Sequence, residues 1–228
     1  MTRSTTSWEL DHVFLATPAP ALVEAALSDF GMTFTDRRVH RGQGTANACA
    51  TFENAFFELL HAHDAAELKS ASVAPLGLQE RIFWTQTGAC PFGICFRPLA
   101  PCPDLAALPF ATWIYSPAYL PAAAGIPIVT PRGHLQEPLV FISTRPRGTT
   151  ASSSPTPPHH RGKSRTLTGV RIQYPGVGSA VSDGLAWFVA SGLISIVEGP
   201  THLLELEWDH GITGAVQTFP DAPMAIRW

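Results

Sequence analysis

The chain has 228 residues, 45% of them hydrophobic, and a formal net charge of −3. That supplies a real core for one large domain or two small ones, and leaves no basic surface for nucleic acid or an anionic membrane. No apolar run reaches the roughly 18 residues of a membrane span, the polar start Met1 to Trp8 is too short for a signal peptide, and Cys49, Cys90, Cys95 and Cys102 lack Cys-x-x-Cys spacing, so a cytoplasmic protein with reduced thiols is expected.

Residues 9–15 alternate as a strand, with Leu10, His12 and Phe14 on one face and Asp11, Val13 and Leu15 on the other. Pro18 and Pro20 lead into a helix over Ala21 to Phe30. Its apolar stripe is Leu22, Ala26 and Phe30 with Val23 and Leu27 beside them, and Gly31 is placed to end it. Met32 to Val39 suits a second strand, His40-Arg41-Gly42-Gln43-Gly44 a turn, Thr45 to Phe52 a third strand, and Ala55 to Leu60 a fourth. This is a β-α-β-β-β module. Asp64 to Lys69 and Leu76 to Trp84 extend it with helical segments, in which Glu80-Arg81 reads as a surface pair, and Phe92 to Phe96 adds a strand.

Residues 98–144 are rich in proline and aromatics and read as ordered connecting loop with short strands, closing on a strand at Leu139 to Ser143. Residues 145–166 carry Ser152-Ser153-Ser154, Pro155, Pro157-Pro158 and His159-His160, the composition of a flexible, solvated linker. Strand, helix, strand, turn, strand then returns from Leu167 to Trp208, with a last strand ending at Trp228. The domain organisation expected is therefore a first module at 1–97, a connecting region at 98–144, a linker at 145–166 and a second module at 167–228.

Two polar residues interrupt apolar strands. His12 sits in Leu10-Asp11-His12-Val13, and Glu58 in Phe56-Phe57-Glu58-Leu59-Leu60. If Val13, Leu15, Phe57 and Leu59 lie under the helix, His12 and Glu58 share the opposite face. In the repeat, Leu203-Leu204-Glu205-Leu206-Glu207 aligns with the Glu58 strand and offers Glu205 as a third ligand. One imidazole and two carboxylates suit Mn, Fe, Ni, Zn or Mg. A carboxylate left free, Glu205 or Glu207, is the candidate general base. Gln43, Thr45 and Asn47 are placed to line a binding site or to serve the turn, Arg97 to fix a substrate carboxylate, and His40 and His61 to act as acid or base.

Leu10-Asp11-His12-Val13, the turn His40-Arg41-Gly42-Gln43-Gly44-Thr45-Ala46-Asn47, and Glu53-Asn54-Ala55-Phe56-Phe57-Glu58-Leu59-Leu60 together resemble the glyoxalase-like branch of the vicinal oxygen chelate superfamily. So do Pro91-Phe92-Gly93-Ile94, Thr168-Gly169-Val170-Arg171 and His202-Leu203-Leu204-Glu205-Leu206. The resemblance implies an α+β fold in which two βαβββ modules curl a mixed sheet into a cup, with helices on the convex side and a divalent metal on the concave face. It implies a metal-dependent enzyme of lyase, isomerase or dioxygenase type, acting on a small oxygenated substrate, as a monomer or homodimer. The alternative is a metal-free protein of the same fold that binds or sequesters a small molecule. The position matching a superfamily ligand in the repeat falls near Thr168 or Gly169, and neither is a ligand, which argues against a glutathione-dependent lactoylglutathione lyase.

Overall fold

The computed structural model describes residues 8–99, 104–121, 124–144, 159–176 and 181–228. Strands β1 (Trp8–Ala16), β2 (Asp36–His40), β3 (Thr45–Thr51), β4 (Phe56–Ala62), β5 (Phe92–Pro98), β6 (Trp113–Tyr115), β7 (Ile126–Ile128) and β8 (Leu139–Ile142) form one sheet in the order β2-β3-β4-β1-β5-β8-β7-β6. Strands β9 (Leu167–Tyr174), β10 (Ser195–Glu198), β11 (Leu203–Trp208), β12 (Val216–Phe219) and β13 (Met224–Arg227) form a second, ordered β10-β9-β11-β13-β12. The helices are α1 (Pro20–Phe30), α2 (Ala65–Leu68), α3 (Leu78–Ile82), α4 (Trp84–Thr87) and α5 (Asp183–Ala190). None of them is long and apolar enough to cross a membrane.

The large sheet is built from two halves that meet at the antiparallel pair β1–β5. In the first half β1 runs parallel to β4, and β4, β3 and β2 follow as antiparallel neighbours. In the second, β5 runs parallel to β8, and β8, β7 and β6 are again antiparallel. The connection from β5 to β6 includes a 3-10 turn, Leu105–Ala107, where the first half has α1. The second half of the cup is therefore built from β5, at the end of the expected first module, and from β6, β7 and β8, inside what the sequence presents as a connecting region. The stretch 167–228 keeps the expected element order but pairs differently. There β10 and β11 flank β9, parallel and antiparallel respectively, and β13 runs parallel to β11.

Helix α1 forms where Pro20 presets the first turn, and Gly31 ends it in the left-handed region at φ 109°. It buries Val23, Leu27 and Phe30, while Leu22, expected in the stripe, is 53% exposed. Those three residues join Val13, Leu15, Phe57, Leu59, Phe92, Ile94 and Phe96 in one core. The same core takes in the inner face of the second sheet, including Val170, Ile172, Leu204, Leu206, Trp208 and Ile226. Phe188 of α5 stacks on Phe96 with ring centroids 3.8 Å apart, and Trp208 packs on Phe30 and Phe52. The two sheets thus sandwich α1 and α5 against the convex face of the cup. Each fully buried aromatic or aliphatic side chain there contributes about 1.5–3 kcal/mol.

The cup face has its own apolar cluster. Phe14, Ala16, Leu60, Tyr115, Ile128 and Leu139 meet Leu68, Leu76, Leu78 and Ile82 from the segment that follows β4. That segment closes one end of the cup, and this explains Arg81. Read as half of a surface pair, Arg81 is instead 1% exposed and donates to the carbonyls of Leu76, Cys90, Glu137 and His134. Four carbonyl partners satisfy a guanidinium that burial would otherwise penalise.

The expected linker is ordered at its end, and residues 145–158 lie outside the described residues. His160 is buried between Phe52 and Trp208. Its Nδ1 accepts from the Thr33 amide at 3.1 Å, and its Nε2–H donates to the Thr51 carbonyl at 3.1 Å. His160 is thus a core residue that ties the chain's return to the first module.

Candidate functional site

Alternation along β4 puts Phe57 and Leu59 in the shared core and turns Glu58 and Leu60 into the cup. Along β1, Val13 and Leu15 face the core while Phe14 and Ala16 face the cup. His12 falls on the cup face with Glu58, as the sequence requires. The expected alternation fails one step earlier. Leu10 pairs with Phe96 and His12 with Cys95, so Asp11 is an extra residue in β1, a β-bulge. The bulge returns Leu10 and Trp8 to the core side and swings Asp11 next to His12. Without it, a carboxylate would enter the apolar core beside Val13.

The result is an ordered chain of charges. The Asp11 carboxylate accepts from His12 Nδ1–H at 2.6 Å and from Arg97 Nη1 at 2.9 Å. Arg97 also donates from Nε to Glu9 at 2.7 Å and from Nη2 to the Asn54 carbonyl at 2.8 Å. Burial works to raise the Asp11 pKa, but the His12 and Arg97 contacts outweigh it and hold the carboxyl below its ordinary value. Burial likewise works against charge on Arg97, and its contacts to Glu9 and Asp11 overcome it, so its pKa is raised. All three nitrogen positions of Arg97 are used inside the protein. It is not open to a substrate carboxylate; it braces Asp11, and through Asp11 it braces His12.

With Nδ1 directed at Asp11, His12 turns Nε2 toward Glu58, whose Oε2 is 3.6 Å away. The other Glu58 oxygen accepts from Asn47 Nδ2 at 2.6 Å, and Asn47 Oδ1 accepts from the Arg38 amide at 2.9 Å. The His12 ring lies flat on Phe56, 4.2 Å between centroids, with Phe141 edge-on at 5.3 Å.

Beyond Asn47, the turn from β2 to β3 supplies more polar groups. Thr45 hydroxyl donates to Gln43 Oε1 at 2.9 Å and accepts from His40 Nδ1–H at 3.0 Å. Tyr119 covers the His40 ring at 5.1 Å. Burial lowers the His40 pKa, against the pull of the Glu58 carboxylate that it faces. His61 points elsewhere, with its Nδ1 on the Ala62 carbonyl.

A family model described as a glyoxalase-like domain matches residues 10–160. The chain belongs to the glyoxalase-like domain family. Glyoxalase-like domains form part of the vicinal oxygen chelate superfamily, and the α+β cup with its mixed sheet agrees with that fold. A hypothetical protein from Staphylococcus aureus, known from a crystal structure, has a similar fold. The likeness covers 96% of this chain and 98% of that one with a TM-score of 0.54, at 10% sequence identity. No curated protein matches the chain.

The two glyoxalase-like halves are chemically unequal. Where the first half turns His12 and Glu58 into the cup, the second turns in Gly93 and Cys95 from β5 and Leu139 and Phe141 from β8. Glu205 and Glu207 do not join the site. Leu204, Leu206 and Trp208 of β11 face the shared core, so both glutamates project from the far side of the second sheet. Glu205 there accepts from Arg227 at 3.4 Å, and Glu207 accepts from the Thr168 hydroxyl at 3.1 Å. Two sheets and the core between them separate these carboxylates from His12.

Among the described residues, Asp11, His12 and Cys95 are the group of three donors whose ligand atoms lie within 4.8 Å of one another. Both Asp11 oxygens are committed, to His12 and to Arg97. Burial, followed by the Asp11 charge, pushes the Cys95 thiol pKa well up, against the thiolate form that a ligand needs. Arg97 already supplies the cation at this edge. The His12–Glu58 edge, by contrast, sets an imidazole nitrogen 3.6 Å from a carboxylate oxygen.

Proposed function

We propose that the protein is a metal-dependent enzyme in which His12 Nε2 and Glu58 Oε2 hold a divalent ion on the cup face. The observation that carries this reading is the pair itself, 3.6 Å apart with the His12 tautomer fixed from behind by Asp11. Two donors each about 2.1 Å from one ion at a tetrahedral angle stand about 3.4 Å apart. An imidazole backed by a carboxylate is the usual outer-shell arrangement of a ligating histidine. The mixed nitrogen and oxygen donor set fits Mn, Fe, Ni, Zn or Mg and leaves the remaining positions to water and substrate.

A divalent ion bound there would supply Lewis acidity toward an oxygen of a small oxygenated substrate. The protein's own groups do the rest. Asp11 and Arg97 hold the His12 ring in place, Asn47 orients Glu58, and Phe14, Phe56 and Phe141 exclude water around the reacting centre. Glu205 and Glu207 take no part. Metal analysis of protein purified without a chelator or affinity tag tests the reading. A bound ion that is lost in His12→Ala and Glu58→Gln supports it, and metal content indifferent to both substitutions refutes it.

A second reading is a metal-free binding protein, favoured by β8 presenting Leu139 and Phe141, and β5 presenting Gly93 and Cys95, where the other half presents the Glu58 carboxylate and the His12 imidazole. Thermal stabilisation by a small ligand, unaffected by EDTA and by His12→Ala, would support it.

A further inference from the structure

Strands β2 and β6 are the opposite edges of the eight-stranded sheet, yet their ends meet. His40 closes β2, and Tyr119, four residues beyond β6, covers its ring at 5.1 Å. Gly42 lies so close to Ala118 that a Cβ on Gly42 would stand 2.7 Å from Ala118 Cβ. The Gln43 amide is directed at Tyr119. Curvature of the sheet thus brings the β2–β3 turn and residues 116–121 together across the mouth of the cup. The Glu58 carboxylate bears on both rings of this contact, drawing the His40 pKa upward and adding to the effect of burial on Tyr119. Behind it the His12 and Glu58 side chains are only 13% and 8% exposed. A substrate at that pair needs a wider opening than these exposures leave.

The two sides of the contact are held unequally. The turn is fixed to the segment around α2. The Gly42 and Gly44 amides both donate to Glu67 Oε2, at 2.6 and 3.1 Å, and the Gly44 carbonyl accepts from the His63 and Asp64 amides at 2.8 and 3.1 Å. Both glycines lie at φ 78°, a conformation that suits glycine. Residues 116–121 have no such ties. Among the described residues, no main-chain hydrogen bond crosses from them to the turn, and the one inside them runs from the Leu120 amide to the Pro117 carbonyl at 3.1 Å. Pro117 and Pro121 lack the N–H that would extend the β6–β7 ladder, and they stiffen the stretch between them. The base of this stretch is anchored. Trp113 Nε1 donates to the Thr130 carbonyl at 2.9 Å, Arg132 covers the indole at 4.0 Å, and Tyr115 is buried with Ile128. A stiff segment with a firm base, seated mainly by one ring and one methyl group, is the part that can lift.

We propose that residues 116–121 form a strap across the mouth of the cup, which lifts off the fixed β2–β3 turn to open the way to His12 and Glu58. Tyr119 is its latch, and the absence of a side chain on Gly42 is what lets Ala118 seat. What the strap guards rests on the metal reading above; that it opens rests on its own contacts.

Modification of His40 by diethyl pyrocarbonate, located by peptide mass spectrometry, reads the opening. Cys90, buried in the core between the sheets and alkylated by N-ethylmaleimide in a parallel reaction, reports global unfolding. In the wild type the His40 rate should stay flat up to about 1 M urea while the Cys90 rate climbs, which is the mark of local opening. Gly42→Ala should prop the strap open and speed His40 modification about tenfold. Adding Ala118→Gly should restore the wild-type rate, because it removes the methyl group that the new Cβ meets while leaving the backbone strain at residue 42 in place. Should Gly42→Ala not fold, Tyr119→Ala takes its place, with the same acceleration expected. Bound Mn2+ should pass to EDTA faster in the same variants, with its equilibrium affinity unchanged. A His40 rate that climbs with urea in step with Cys90 would overturn the proposal. So would a wild-type rate in Gly42→Ala or Tyr119→Ala, an acceleration that Ala118→Gly does not reverse, or unchanged Mn2+ release from a variant that is modified faster. If Mn2+ does not bind at all, the metal reading fails separately, and the His40 rates alone decide the strap.

Discussion

The Asp11 carboxylate reaches His12 Nδ1 at 2.6 Å because β1 carries one residue more than β5 at that point. A regular strand would send neighbours 11 and 12 to opposite faces. The bulge places them side by side and makes Asp11, braced by Arg97, the residue that sets which His12 nitrogen is free. Asp11→Asn should therefore lower divalent-metal affinity about 10–100-fold with the ion position unchanged, read by calorimetric titration. Undiminished affinity would mean that Asp11 has no part in holding His12.

Glu205→Gln and Glu207→Gln serve as the counterpart. Both carboxylates lie on the outer face of the second sheet, in contact with Arg227 and Thr168. Metal affinity in these variants should equal that of the wild type, measured in the same titration, and a tenfold loss in either would contradict the architecture.

The two sheets share one core, so they should melt together. Phe188→Ala removes the ring stacked on Phe96 and should cost about 3–5 kcal/mol. Calorimetry should show a single transition in the wild type and in the variant. Two separated transitions would show that residues 167–228 fold independently of the cup.

Gly93 lies against Phe14 across the β1–β5 pair, and a Cβ there would stand 2.0 Å from the Phe14 ring. Gly93→Ala should displace that ring within the cup and cost about 1–3 kcal/mol in urea unfolding. An unchanged midpoint would mean that the ring moves freely.

His160 supplies a pH dependence. Burial lowers its pKa against the contact to Thr51, and its Nδ1 accepts a bond from Thr33 that protonation would break. The unfolded chain, with histidine near its ordinary value of about 6.5, binds the proton more readily than the folded one. The stabilisation is thus fully present above about pH 6.5 and is lost as pH falls toward the lower folded value. Urea midpoints should drop between pH 7.5 and 5.5, and His160→Gln should flatten part of that slope. His40 and His202, also lowered by burial, retain the remainder. A slope identical in His160→Gln would refute the assignment.

The first half of the fold was legible because its strands are long enough to show their period. Seven residues of β4 alternate clearly enough to turn Glu58 toward His12. The bulge was not legible as such, although its signal was present: Leu10 and Val13 are both apolar with two polar residues between, a spacing that strict alternation cannot bury. The second module was hidden for the opposite reason. Strands β6, β7 and β8 are three or four residues long, below the length at which periodicity speaks, and no α-helix marks the described part of the β5–β6 connection. Meanwhile β11 alternates as well as any half-buried strand, and this made Glu205 look like a partner of Glu58. Alternation reports which side of its own sheet a residue faces. It does not report which sheet.

The metal-dependent activity requires an ion between His12 and Glu58. Anomalous diffraction from crystals soaked in Mn2+ tests it most directly. One peak should lie within bonding distance of both His12 Nε2 and Glu58 Oε2 and be absent in His12→Ala. A peak among Asp11, His12 Nδ1 and Cys95, or no peak on the cup face, would contradict it.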